Sequence, residues 1–257
     1  EAESLRWAAA GRLAICHGTP PKGAPGSVSV VDTRTVAVVR RVALAGACQA
    51  LAVDSAGSGR AFAIERLRRP YGKDTLVHYR LVALDLNAGK RLAARELPGG
   101  ARSVHLGPRG RLYVPFVSGG GLHATDATVG IYHPRELELV GRLRLEMVTR
   151  AVTVFGDALV LSLLHRGDPW LAVMHAKDHK TRFDVRFGRL VTGQLAVVGD
   201  VAYLPLRGEH ALERVDLRSG KKLTRWTLGK LPQGRDAMTL LRTAPSWRTP
   251  GRSRGAR

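Results

Sequence analysis

Apolar and polar residues alternate along this chain in short runs, and glycine, proline and aspartate separate the runs. The stretch Gly100-Ala-Arg-Ser-Val-His-Leu-Gly-Pro-Arg-Gly-Arg-Leu-Tyr-Val114 shows the pattern: an alternating segment, a tight turn at Pro108-Arg109-Gly110, then a second alternating segment. Thr192-Gly-Gln-Leu-Ala-Val-Val-Gly-Asp-Val-Ala-Tyr-Leu-Pro205 repeats it, with Gly199-Asp200 as the turn. Alternation with a period of two is the mark of a strand with one buried face. A second half-unit follows each of these, at 81–97 and 213–228, again as two strands around a polar corner. The four-part unit comes round five times. With the strands lettered A to D, they are expected at 4–9, 12–17, 27–32 and 36–44; 48–54, 60–65, 76–85 and 91–97; 102–106, 111–117, 128–132 and 137–145; 151–155, 158–164, 170–175 and 181–187; and 194–198, 201–206, 211–216 and 222–228.

Repeats of roughly 40–50 residues with four strands each predict a propeller, in which A lines a central channel and D forms the rim. The expected fold is therefore all-β: a β-propeller of four-stranded blades, with five recognisable repeats and a partial sixth. The sixth would begin with an innermost strand at 236–241. The propeller domain is read as 1–242, followed by a basic tail rich in Pro, Gly and Arg at 243–257.

These repeats resemble the YVTN-type and PQQ-like β-propeller repeat families. Three elements carry the resemblance: the A–B hairpin ending in an aromatic strand, as in Arg111-Leu-Tyr-Val114 and Val201-Ala-Tyr-Leu204; the strand Ser27-Val-Ser-Val-Val-Asp-Thr33; and the corner Asp-x-x-(Ala/Ser)-Gly-Lys at 85–90 and 216–221. In that corner Asp caps the turn, Gly supplies positive φ and Lys starts the next strand. The third and fourth repeats carry His133 and His175 where the others carry Asp. The resemblance implies a fold and says little of function. PQQ chemistry is not expected, since only Trp226 stands where such enzymes carry their repeated docking tryptophans. No cofactor is assigned.

Charge changes the picture. Lys+Arg number 41 against Asp+Glu 21, a formal net charge of +20. Arg40, Arg41, Arg91, Arg95, Arg142, Arg144, Arg182, Arg186, Lys222 and Arg225 all fall on D strands and form a basic belt at the rim, to which the tail adds Arg242, Arg248, Arg252, Arg254 and Arg257. A GC-rich genome and the protection of outer strands against edge-to-edge pairing account for part of this. A belt of one sign goes beyond protection, because mixed signs would serve as well. It points to an acidic protein or multi-subunit complex, an anionic envelope polymer or a lipid surface. Nucleic acid fits less well, since aromatic residues are 5% of the chain and are not interleaved with the basic stretches.

The B–C connections at 18–26, 66–75 and 118–127 read as long loops on one face of the disc, and ligand sites in such folds gather on loops. They would bring Arg66, Arg68, Arg69 and Lys73 there as binding residues, alongside Glu65 and with Arg142 and Arg144 at the rim. A metal site at that face would draw on His17, His123, Asp126 and His165, residue types suited to zinc or copper but at no recognisable ligand spacing. It is the basis of an alternative reading, a propeller hydrolase, lyase or lactonase. No Gly-x-Ser-x-Gly is present, and Gly119-Gly-Gly121 has no helix N-terminus to complete a phosphate cradle, so no catalytic residue is assigned.

Cys16 lies near the end of one B strand and Cys48 at the start of the next repeat's A strand. Both ends reach the same face on adjoining blades, which predicts a disulfide. A disulfide, together with a first residue that is Glu1 rather than Met, is what an exported, extracytoplasmic protein would show. No apolar run approaches the roughly 18–20 residues that span a bilayer. The expectation is a non-catalytic, periplasmic, cell-surface or secreted propeller that serves as a binding or assembly subunit.

Overall fold

The computed structural model describes residues 2–9, 11–18, 25–54, 57–71, 74–101, 103–117, 127–145, 147–165, 168–188, 195–206 and 211–227. They form five antiparallel sheets. Blade 1 holds β1 (Ala2–Ala9), β2 (Arg12–His17), β3 (Ser27–Asp32) and β4 (Ala37–Ala43); blade 2 holds β5 (Ala47–Val53), β6 (Arg60–Tyr71), β7 (Asp74–Asp85) and β8 (Lys90–Glu96). In blade 3 the inner strand is split into β9 (Gly100–Ala101) and β10 (His105–Leu106), before β11 (Leu112–Val117), β12 (Ala127–Tyr132) and β13 (Leu139–Arg144). Blade 4 is β14 (Val148–Phe155), β15 (Ala158–His165), β16 (Asp168–His175) and β17 (Thr181–Arg186). Blade 5 is β18 (Ala196–Val198), β19 (Val201–Pro205), β20 (Ala211–Asp216) and β21 (Lys222–Thr227). Within each blade the strands pair in sequence order, and the inner strands of consecutive blades lie side by side. The all-β propeller of four-stranded blades is thus the fold. The expected strand at 236–241 and the tail at 243–257 lie outside the described residues.

The core is not one cluster. Among the described residues it is a series of four, each shared by two consecutive blades. Each strand alternates between the core on one side of its blade and the core on the other. On β6, Ala61 and Ala63 face blade 1 while Phe62 and Ile64 face blade 3. Leu51, Val104, Val114, Val152, Leu161, Leu195 and Leu204 are buried, as the alternation predicts. Val53 is only partly buried, because it lines a cavity of about 160 Å³ among the inner strands of blades 2 to 4.

Two strand expectations need correction. The expected loop at 66–75 is strand over its described residues: 66–71 belong to β6 and 74–75 to β7, paired in unbroken register from Arg66↔Tyr79 to Tyr71↔Asp74. The alternation there is masked in sequence by arginines placed on both faces of β6. The inner strand expected at 102–106 is broken in two. Pro115, which brings no N–H to the ladder, stands on β11 opposite the break.

All five C–D corners share a backbone. The residue four after the Asp or His has positive φ: Val36 (57°), Gly89 (70°), Leu137 (55°), His179 (59°) and Gly220 (72°). Asp32, Asp85 and Asp216 accept backbone N–H bonds inside the turn through their carboxylates. Glycine takes this conformation without strain, whereas a β-branched residue there is strained by about 1–3 kcal/mol. Val36 is also 81% exposed, so its side chain contributes little packing. Replacing Val36 with glycine should therefore stabilise the protein by about 1 kcal/mol in a denaturant melt. The equivalent change at Leu137 should cost about 3 kcal/mol or more, since that side chain is fully buried in the core between blades 2 and 3.

Candidate anion-binding surface

The joint between blades 1 and 2 is the most strongly tied part of the described chain. Cys16 and Cys48 are joined by a disulfide with Cα atoms 5.7 Å apart, and both side chains are fully buried in the core that the two blades share. Beside Cys48 in register is Glu65, also fully buried. One of its oxygens accepts backbone N–H bonds from Ala45 and Gly46, the link between the blades. The other accepts two bonds from the Arg80 guanidinium, at 3.0 and 2.7 Å, and Arg91 comes within 3.9 Å of the first. Glu65 was expected near a ligand face. It is instead a structural anchor, because the register that continues β6 turns its odd-numbered residues toward blade 1. His17 lies on the opposite face of blade 1, since on β2 it is Ala14 and Cys16 that enter the core shared with blade 2; its Nε2 is 3.0 Å from the Ser29 hydroxyl, which also accepts from Arg41. Burial, and then the charge of Arg41, hold the His17 imidazole below its ordinary pKa, in the neutral form at pH 7.

The arginines of the rim divide sharply. On blades 4 and 5 they are paired: Arg182 with Asp157 (2.6 Å), Arg186 with Asp168 (2.5 Å) and Arg225 with Glu213 (2.8 Å). The Arg182 hydrogen bond holds the Asp157 carboxyl below the usual carboxylate range. On blade 2 the two faces differ. Arg69, Arg80 and Arg91 point toward blade 1, where Glu65 and Glu96 meet them. Arg66, Arg68 and Arg95 point the other way, toward blade 3, through the pairings Arg66↔Tyr79, Arg68↔Val77 and Leu81↔Arg95. From blade 3, Arg142 and Arg144 face them: they pair with Gly130 and Thr128, on the side of β12 that carries Tyr132 into the shared core. No described carboxylate lies within ion-pair distance of these five arginines. Burial pushes the Tyr132 phenol up, and the nearby charges of Arg142 and Arg95 partly offset it.

Of the residues expected to bind an anion, the structure thus brings Arg66, Arg68, Arg142 and Arg144 to one seam, adds Arg95, and sends Arg69 to the opposite face. The signal for this was parity along β6, legible only once its full length is known. Lys73, His123, Asp126, Arg248, Arg252 and Arg254 lie outside the described residues, as does the side chain of His165. Among the described residues no group of three or more His, Cys, Asp or Glu is arranged to hold a metal ion. No described helix is long and apolar enough to cross a membrane. A second cavity, of about 110 Å³, lies between blades 3 and 4 against Trp170, Met147 and Met174. Both cavities are smaller than the roughly 300–1,000 Å³ that takes a substrate-sized molecule.

No protein-family model matches this chain, and no curated protein matches it in sequence. Solved structures match its shape. It is similar to the β-propeller domain of Cps50 (Swd1) from Myceliophteria thermophila, with TM-score 0.56, 13% identity, and 88% of this chain covering 85% of that one. It is similar to the WD40 domain of Neurospora crassa Pan2 (TM-score 0.62, 12% identity, 91% of this chain and 66% of that one). It is also similar to BamB from Moraxella catarrhalis (TM-score 0.56, 11% identity, 86% and 63%). The chain therefore spans about two thirds of the length of the last two. At these identities the likeness is one of fold.

Proposed function

We propose that this chain is a non-catalytic propeller of the YVTN- and PQQ-like type, exported from the cytoplasm, that acts as a binding or assembly subunit on an acidic protein partner or an anionic envelope surface. The observation that carries this reading is the set of rim arginines on blades 2 and 3 that meet no carboxylate among the described residues. Surface charges that serve only solubility are interspersed with the opposite sign, as they are on blades 4 and 5. The buried Cys16–Cys48 disulfide supports export, since disulfides persist in oxidising compartments. Residues 243–257 are read as a basic tail that adds to the attachment.

Immobilised protein should retain an anionic macromolecule from extracts at about 50 mM salt and release it by about 0.5 M, where charges are screened beyond a few Å. Deleting residues 243–257, or reversing charge with Arg142→Glu and Arg144→Glu, should each weaken retention while leaving the melting temperature unchanged. Retention that is insensitive to salt and to both changes would reduce the belt to genome bias and edge protection, and would end the binding reading.

A further inference from the structure

We propose that the seam between blades 2 and 3 is the docking site itself, and that it takes an extended acidic peptide segment of a partner protein, with carboxylates at alternate positions. This rests on the binding reading above and assigns it a place and an occupant.

The site has two walls. One is Arg66 and Arg68 on β6 with Arg95 on β8; the other is Arg142 and Arg144 on β13. Arg68, Arg95, Arg142 and Arg144 are exposed, Arg66 partly so, and no described carboxylate pairs with any of them. All five are arginine, whose planar fork meets a carboxylate through two parallel bonds. Arg66 and Arg68, and likewise Arg142 and Arg144, are two residues apart on a strand, so each pair repeats every ~6.6 Å. That is also the repeat of alternate side chains on an extended peptide.

Backbone supplies the second observation. The sheet pairing of β8 on β7 stops at Arg80↔Glu96, and that of β5 on β6 stops at Ala47↔Arg66. Beyond those points the β6–β7 hairpin runs on as two strands alone, and no described strand pairs with its outer edges. Leu76 and Val77 are exposed on that edge, at 45% and 43%. Open main-chain groups beside apolar side chains are what an added peptide strand uses. A nucleic acid would need exposed aromatic faces for its bases, but of the described tyrosines on this seam Tyr132 is 1% exposed and Tyr79 is half-buried, packed against the core.

The test is fluorescence anisotropy with a labelled eight-residue peptide alternating Glu and Thr, at low salt, on the full chain. Comparison probes are a Glu-block, Thr-block peptide of the same composition, an oligo-dT strand and phosphatidylglycerol vesicles. Arg68→Glu with Arg95→Glu alters one wall, and Arg142→Glu with Arg144→Glu the other. Arg12→Glu with Arg135→Glu, exposed and away from the seam, makes the same change in net charge. Each wall variant should lose about tenfold in affinity, two exposed charge contacts of about 0.7 kcal/mol each, and the control less than about threefold. The alternating peptide should bind more tightly than the block peptide. Equal losses in wall and control variants would overturn the seam while leaving the basic-belt reading intact. So would a parent protein that binds no acidic peptide yet retains anionic material from extracts. Tighter, wall-dependent binding of oligo-dT or vesicles would overturn the peptide as occupant.

Discussion

Replacing Glu65 with alanine will cost about 3–5 kcal/mol of folding free energy, the size expected when one member of a buried ion pair is removed. The change leaves the Arg80 guanidinium, whose side chain is only 20% exposed, without its carboxylate. It also strips the acceptor from the Ala45 and Gly46 amides, which bridge blades 1 and 2. For a chain of this size each kcal/mol moves the melting temperature by about 2–4 °C, so a fall of roughly 10–15 °C is expected. Glu65→Gln keeps an acceptor for the two amides and should lose about half as much. In a double-mutant cycle, Glu65→Ala with Arg80→Ala should cost clearly less than the sum of the singles, because each single leaves the other charge stranded. Strict additivity, or a loss below about 1 kcal/mol in the first variant, would show that this carboxylate is not the anchor of the joint.

Removing the disulfide with Cys16→Ala and Cys48→Ala should cost about 2–4 kcal/mol, seen as a fall of roughly 5–15 °C in melting temperature. The bond closes a sequence separation of 32 residues and ties together two blades that also meet through a shared apolar core and through hydrogen bonds such as that from Arg40 Nε to the Asn87 carbonyl. Because both sulfurs are fully buried, thiol reductants should reach them only after the joint opens. Mass measurement under non-reducing conditions should find no reactive thiol in the native protein, and reduction should coincide with unfolding. Rapid labelling of two free thiols in the native state would remove both the bond and its support for export.

The fold was legible because a propeller writes itself locally. Each blade is four consecutive antiparallel strands joined by short turns, so alternation and corner residues along the chain already contain the pairing. Strands such as β2, β3 and β20 stand at the boundaries that alternation sets. The positive φ at Gly89 and Gly220 follows from the Asp-led corner, while the same backbone at Val36, Leu137 and His179 does not show in residue type. The split inner strand of blade 3 needed its pairing with β11 to be seen.

What the sequence by itself determined about this protein is its repeat, its strand order, its cysteine pair as candidates for a bridge and its excess of arginine. These depend on residues near one another in the chain. Only the tertiary structure decided what the arginines face. Arg66 and Arg69 stand three residues apart, yet one points to a seam where no described carboxylate meets it and the other to Glu96. Parity along β6 separates them, and parity has consequences only when blades 1 and 3 stand on either side. Glu65 likewise reads as one more polar residue beside a basic cluster. Its partners at positions 45, 46, 80 and 91 come from the link that enters its own blade, the facing strand and the rim, which no sequence spacing brings together.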